Sequence, residues 1–352
     1  VCDVVPLLDE NRILVKRGLE IINGSVPNKG LDTLVGINEL RDKRITEYTY
    51  GFIIGPCINA VGRLEVATLG AELFMCEDNE RCMEIAEHLF NLNIKRKEMT
   101  KESVERLTQI AENTEDRVLV LYDEAVDESI AGIVAGRLRE VFNKPAIVLT
   151  KSEGGAKGSA RSIEKYDLFK ELSCFKELFT KFGGHKMAAG MSLPVENIEP
   201  LRRVLNENCR LTAEDMERVY TADAVVEMNE ISLNAAEDME IFKPFGTANP
   251  EPLIGAVNLS ISSLRFVGEE KNIASFSITD SSCNYVSAVW FNGENLPELI
   301  NDFYGYEVID ADKNIKIKLT DLRIDIISAL CVDEYNGNKK PKLIIKDLRI
   351  SK

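Results

Sequence analysis

The sequence predicts an α/β multi-domain protein: a helical, loop-rich first region, a long connecting helix, an α/β domain and a small β-barrel of the OB type. Three observations carry this. Residues 117–193 alternate strand-like and helix-like stretches, the pattern of an α/β layer. Residues 79–114 contain no proline or glycine and repeat apolar residues at spacings of three and four, as one long helix does. After residue 220 come about five short stretches of period-two alternation, enough for a five-stranded barrel.

Taken in order, RILVKRGLEIING carries apolar residues at helical spacing and stops at Gly24, a fitting C-terminal residue. LDTLVGINEL repeats the pattern, and in residues 52–74 Gly55-Pro56 predicts a backbone break, with Asn59, Gly62 and Arg63 setting polar groups among apolar ones. RVLVLYD is strand-like, and SIAGIVAGRLREVF puts Ile130, Ile133, Val134, Leu138 and Val141 on one helical face with Ser129 as N-cap. PAIVLT and AKGSARSI read as strands around a Gly154-Gly155 turn. DLFKELSCFKELFTKF reads as helix, and a GGH turn leads into the strand AAGMSL. In the last region a helix over 233–242 and PFGTANPEP precede VNLSISSLRF, NIASFSITD, YVSAVWF, IKIKLTDLRI and KLIIKDLRI, with Asn292-Gly293 and Asn336-Gly337 as hairpin signals.

A chain of 352 residues suffices for two or three domains, and 45% apolar with 29% charged residues is ordinary for a soluble globular protein. No apolar run approaches the roughly 20 residues of a membrane helix, so no membrane association is expected. The opening VCDVVP reads as the middle of a strand, so the natural start is expected upstream. Eight cysteines stand singly without a C-x-x-C pair, which indicates neither zinc nor a disulfide framework and fits a reducing cytoplasm. The net charge of −15 argues against a generic polyanion binder. A local basic groove remains open, because Lys157, Arg161, Lys165, Lys181 and Lys186 gather in sequence and charges within a Debye length of about 8 Å outweigh distant ones.

Two groups suit phosphate. Residues 158–162, GSARS, offer the hydroxyls of Ser159 and Ser162 and the Arg161 guanidinium, whose planar fork donates two parallel hydrogen bonds. In a strand Ser159 and Arg161 share a face. Residues 182–190, FGGHKMAAG, place His185, one of two histidines, directly after Gly183 and Gly184, where a backbone without Cβ admits close approach. A glycine turn with a locally bonded histidine is the plain alternative. His88, inside the long helix and without clustered ligands, reads as a surface or packing residue. Phe266, Phe276, Tyr285, Trp290 and Phe291 are candidate platforms for bases, with Phe276 and Trp290 more fitting as core.

The GGH stretch resembles the DHH-associated domain of the DHH phosphoesterases. DVVPL, GPCINAVGRL, GIVAGRL, KGSARSI, FGGHKMAAG and PFGTANPEP stand in the order found in the RecJ family of single-stranded-DNA-specific exonucleases. The resemblance covers essentially the whole chain. It implies a two-metal phosphodiesterase, using Mn2+ or Mg2+, that removes nucleotides from a 5′ end of single-stranded DNA in repair and recombination. It further implies a cytoplasmic monomer with single-stranded DNA as partner and a single-strand-binding protein or helicase as further partners. The domains it implies are the C-terminal part of a DHH domain at 1–78, a connecting helix at 79–115, a DHH-associated α/β domain at 116–215 and an OB-like nucleic-acid-binding domain at 220–352.

Carried over by position, His185 and Arg161 become the catalytic residues. Ser159, Arg161, Ser162, Gly183, Gly184, His185, Asn59 and Arg63 become phosphate-binding, and Asp3 becomes the one metal ligand. The aspartate motifs and DHH motif that hold most of the metal do not occur here, so this chain alone is expected to be inactive. The family's first-domain motif usually reads GPRINA, whereas Cys57 stands where arginine is expected, which puts that phosphate contact in doubt. Ala160 replaces the usual glycine. A phosphodiesterase for short RNA or cyclic dinucleotides, and a non-catalytic nucleic-acid-binding scaffold, remain the alternatives.

Overall fold

The computed structural model describes residues 1–24, 28–65, 67–280, 284–291, 293–319 and 321–351. In chain order the elements are helices α1 (Asp9–Ile22), α2 (Lys29–Ile37), the single turn α3 (Glu47–Thr49), α4 (Gly55–Leu64), α5 (Thr68–Met75) and α6 (Asn79–Glu112). Next come β1 (Leu119–Tyr122), α7 (Ala131–Phe142), β2 (Ala146–Ser152), β3 (Gly155–Arg161), α8 (Leu168–Ser173), β4 (Lys181–His185), β5 (Ala188–Leu193) and α9 (Ile198–Glu207). The remainder is β6 (Ala224–Val225), α10 (Leu233–Met239), β7 (Ile254–Val267), β8 (Ile273–Thr279), β9 (Tyr285–Trp290), α11 (Leu296–Tyr304), β10 (Arg323–Tyr335) and β11 (Asn338–Ile350). The chain divides into two compact units, one made of Cys2 and Leu19–Arg218, the other of Val1, Asp3–Gly18 and Val219–Lys352. No helix among the described residues is long and apolar enough to cross a membrane.

In the first unit the helical part packs around Leu34, Ile54, Cys57, Leu73 and Leu89, all buried. The expected break at Gly55-Pro56 is instead a change of helix type. A π-helical turn, Tyr50–Ile54, runs into α4, and Pro56 sits in the first turn of α4, the part of a helix that best tolerates proline. α6 is the predicted long helix, capped by the Asp78 carboxylate, which accepts from Arg81 N–H. His88 pairs with Glu65 at 2.7 Å on its exposed side.

The α/β part is a five-stranded sheet in the order β1-β2-β3-β5-β4, with β1 and β2 parallel and the rest antiparallel. Strand alternation sends Leu119, Leu121, Ala146 and Val148 against α6 and α7. It sends Val118, Val120, Ile147, Ala156, Ala160, Ala189 and Met191 against α8 and α9. Three expectations are corrected here. Ser129 does not cap α7. Asp127 does so for the preceding turn, its carboxylate accepting from the N–H and hydroxyl of Ser129, because a charged acceptor outcompetes a hydroxyl there. The predicted 167–182 helix ends at Ser173, followed by one 3-10 turn. GGH is not a turn but the end of edge strand β4, the reversal falling at 186–187.

In the second unit β7, β8, β9, β11 and β10 close into a five-stranded barrel, since β10 pairs back with β7. β9 and β11 run parallel, the other barrel pairs antiparallel. Phe276, Ile278, Ile324, Ile326, Leu343 and Ile345 fill it. The alternation over 315–324 predicts a strand. Among the described residues of that stretch a lone bridge, Ile309 to Ile315, is the one pairing before the ladder begins at Arg323. Asn336-Gly337 does turn β10 into β11, both residues at positive φ. Asn292 lies outside the described residues, and Gly293 opens a short turn into α11. PFGTANPEP forms a compact turn in which the Asn249 side chain donates to the carbonyls of Phe242 and Pro244. It receives the N-terminal segment: Leu7 N–H donates to Thr247 O at 2.7 Å, and Arg12 donates to the carbonyls of Ile241 and Lys243.

Candidate phosphate-binding site

Ala156 and Ala160 of β3, Phe182 of β4 and Ala189, Met191 and Leu193 of β5 all face the α8–α9 core. By alternation their neighbours point to the other face. Register aligns those neighbours into three rows: Lys157, Ser192 and Lys181; Ser159, Gly190 and Gly183; Arg161, Ala188 and His185. The middle strand contributes only a serine, a glycine and an alanine, so the rows form a trough with small residues as floor and longer side chains along β3 and β4 as walls. With strands about 4.8 Å apart the walls stand roughly 9–10 Å from each other. A shallow cavity of about 340 Å³ lies over the first two rows.

Arg161 forms the β3 wall next to α7. A Cβ at Gly132 would lie 2.9 Å from Arg161 Nη2 and 3.4 Å from Ser159 Oγ, so glycine there leaves room for both side chains. Burial lowers the pKa of Arg161, and Arg63 and Arg139 lower it further. Its guanidinium donates to Ala160 O at 2.9 Å. A guanidinium has five N–H donors, so most of this one stays available. Arg139 pairs with Glu140 and Lys157 with Glu128, but among the described residues no carboxylate pairs with Arg161 or Arg63, and two such cations held close together favour an anion in the space they share.

His185 is exposed in the same row, and Met187 N–H donates to its Nδ1 at 3.3 Å. The neutral ring then carries its proton on Nε2, which serves as a donor. Gly184 is required by close packing, since a Cβ there would meet Ala188 O at 2.3 Å, whereas Gly183 has open space on its trough side. Ser162 leaves the proposed set. It is only 2% exposed and its hydroxyl donates to Tyr166 O at 2.7 Å, because position 162 alternates to the core side. Lys165 and Lys186 lie in turns outside the rows.

Asn59 and Arg63 sit one turn apart on α4, both exposed, and Arg63 donates to Ser129 O at 3.1 Å. Cys57 points the other way. It is fully buried, burial raises its thiol pKa, and the Asn93 amide donates to its sulfur. Arg96 in turn donates from Nε and Nη2 to Asn93 Oδ1. A guanidinium from α6 thus reaches the neighbourhood of Cys57 through Asn93, a relation that no local motif reveals. Asp3 is exposed, and among the described residues no group of three or more His, Cys, Asp and Glu is placed to hold a metal ion. The residues described do not by themselves fit a divalent-metal centre.

On the barrel, Phe276 is core, and Trp290 and Phe266 pack against that core. Tyr285 and Phe291 are 64% and 54% exposed and remain available for stacking. Lys313 lies over the Phe266 ring at 5.5 Å. Tyr335, 75% exposed at the end of β10, is a further candidate ring that carries no signal in the sequence.

Residues 222–347 match the RecJ OB domain, and residues 115–211 match the DHHA1 domain. The single-stranded-DNA-specific exonuclease RecJ of Bacillus subtilis (strain 168) is 34% identical over 359 residues, covering 100% of this chain and 43% of that protein. Its namesake from Haemophilus influenzae is 31% identical over 363 residues, covering 98% and 59%. The crystal structure of RecJ from Thermus thermophilus in complex with Mg2+ superposes with a TM-score of 0.79 at 24% identity, covering 99% of this chain and 50% of that one. The Mn2+ complex gives 0.80 at 23%, covering 99% and 48%. The chain thus spans about half the length of the curated relatives it matches. Two family domains in sequence, a shared fold and similarity along the whole of this chain to part of these exonucleases establish that the chain belongs to the RecJ family.

Proposed function

We propose that this chain is part of a RecJ-like exonuclease that acts 5′-to-3′ on single-stranded DNA in repair and recombination, and that its share of the work is to grip the strand and present phosphates. In this reading residues 1–78 end a DHH domain, 79–115 connect, 116–215 form the DHH-associated domain and 220–352 the OB-like domain. The observation that carries the reading is the trough, where Arg161 and His185 flank Ala188 in one row while Ser159 and the open backbone of Gly183 lie in the next. Arg161 binds a phosphate through two N–H groups, Ser159 adds a hydroxyl, and His185 offers Nε2–H to a phosphate oxygen. Asn59 and Arg63 serve a neighbouring phosphate.

A divalent ion of the Mg2+ or Mn2+ kind supplies an activated water in two-metal phosphodiesterases. Of this chain's residues only Asp3 is assigned to such an ion, so no hydrolytic step is assigned to the chain alone. Single-stranded DNA is the partner, with a single-strand-binding protein or helicase as further partners of a monomeric enzyme in the cytoplasm.

The test is to incubate the 352-residue chain with end-labelled single-stranded DNA and millimolar Mn2+. Retention of the strand without release of mononucleotides is expected, with retention much reduced by Arg161→Ala. Failure to retain single strands overturns the reading. Metal-dependent release abolished by Asp3→Ala overturns the division of labour within it.

A further inference from the structure

Beside the trough, helices α4, α6 and α7 enclose a second, larger cavity of about 630 Å³, within the range of small-ligand sites. Phe52, Pro56, Val104 and Ile133 give it an apolar wall, and the rest is polar, with five cations, Arg63 and Arg96 among them, the neutral Asn59 and Thr100, and one carboxylate, Glu105. Glu105 lies 3.9 Å from Lys101, and Arg137 pairs with Glu140. Among the described residues no carboxylate pairs with Arg63, Arg96 or Lys97. Burial lowers the pKa of Arg96, and Arg63 and Arg137 lower it further.

The apolar wall has its own peculiarity. Phe52 lies in the π-helical turn Tyr50–Ile54, a rare geometry that recurs at functional sites. It is 65% exposed, and its ring stacks on that of Tyr48, 63% exposed, with centroids 4.8 Å apart. Two large rings left in water gain little for the fold, but they form a flat platform at the mouth of a cationic cavity. Arg96 is oriented for such a site. Asn93, 3% exposed, accepts from its Nε and one Nη2 hydrogen, leaving the other donors of the guanidinium for a ligand.

We propose that this cavity is a nucleotide subsite, in which one base of a single strand stacks on Phe52 while its phosphate is held by Arg63 and Arg96. The proposal rests on the reading of the chain as a single-strand binder and deepens it, giving the phosphate assigned to Asn59 and Arg63 a second guanidinium, Arg96, and a stacking ring, Phe52. Arg63 donates to Ser129 O just before α7, and Gly132 of α7 lies against Arg161, so trough and cavity adjoin along one cationic surface. Cys57 also acquires a role as a positioning residue, since its sulfur receives Asn93 Nδ2–H and so fixes the amide that orients Arg96.

The experiment uses the full chain with a short oligothymidylate carrying 2-aminopurine at successive positions, whose emission reports stacking. One position should change emission on binding. Phe52→Ala should remove that change and weaken binding about tenfold, within the usual worth of a base–aromatic stack. Its exposure predicts an unchanged melting temperature. Arg96→Gln should weaken binding about tenfold and reduce the salt slope by about one. Wild-type affinity in both variants, with Arg161→Ala still binding poorly, overturns the subsite and leaves the trough standing. A wild-type chain that binds no single strand overturns both.

Discussion

Replacing Arg161 by methionine keeps an unbranched stem and removes the guanidinium, which separates binding from stability. In the fold Arg161 donates to Ala160 O and shares its surroundings with Arg63 and Arg139. Losing that bond costs about 0.5–1.5 kcal/mol. Relieving like-charge repulsion and the partial burial of a cation offsets a similar amount, so stability should stay within about 1 kcal/mol, or about 2–4 °C in melting temperature for a domain of this size. Binding should move much further. Charge-assisted bonds to phosphate are worth about 1.5–3 kcal/mol, which at about 1.4 kcal/mol per tenfold weakens single-strand affinity by about 10- to 150-fold. Arg161→Lys should fall between, since it keeps the charge and loses the fork. The assay pairs fluorescence anisotropy of a labelled oligonucleotide at fixed salt with thermal melting of the same samples. Unchanged affinity with a melting temperature lowered by well over about 4 °C would refute the reasoning and make Arg161 a structural residue.

Gly184→Ala should lower the melting temperature, because its Cβ would lie 2.3 Å from Ala188 O. Gly183→Ala, with open space around it, should melt normally yet bind single strands less well. Tyr285→Ala and Phe291→Ala should each weaken binding of long strands by about 1–3 kcal/mol, whereas Phe276→Ala, from the barrel core, should destabilise by about 3–5 kcal/mol. Asp325 is partly buried, which would raise its pKa, but the Ser351 hydroxyl, Asn258 N–H and Arg349 outweigh this and lower it. A depressed carboxyl contributes stability that is complete above its unfolded value of about 3.9 and is lost as the pH falls through the folded value. Acid melting below about pH 4 should therefore be shallower in Asp325→Asn, and an identical acid profile would count against this.

What was legible in the sequence was what local pattern decides. The stretch that became α6 has neither glycine nor proline to interrupt its apolar period, and β1, β2 and β3 are short apolar or small-residue runs, the first two separated by the helical pattern of α7 and the last two by the Gly154-Gly155 turn. The motifs also marked Arg161 and His185. The trough was not legible, because it depends on the register of β3, β5 and β4, which no local pattern states. Two adjacent glycines signal a turn, yet on an edge strand they also let β4 approach β5, as Gly184 does. Residues 315–319 alternate apolar and charged as a strand would, but this stretch leaves the ladder before Arg323. The helix α11 was missed, since Asn292-Gly293 reads as a hairpin signal there; its own markers are Pro297 in its first turn and Gly305 just past its end. The positioning of Arg96 by Asn93 and Cys57 links α4 to α6 across 36 positions, beyond any motif window.

On the proposed function, this chain grips single strands by their phosphates and needs no metal to do so. The most direct test is its affinity for a single-stranded oligonucleotide and for the matching duplex, measured by anisotropy across a salt series in the presence of EDTA. The account predicts a clear preference for the single strand. With Lys181 and Arg161 in the trough and Arg63 beside it, and with Lys157 already paired to Glu128, it predicts a slope of log affinity against log salt of roughly −2 or steeper. Equal affinity for the duplex, or single-strand binding that vanishes with EDTA, would contradict it.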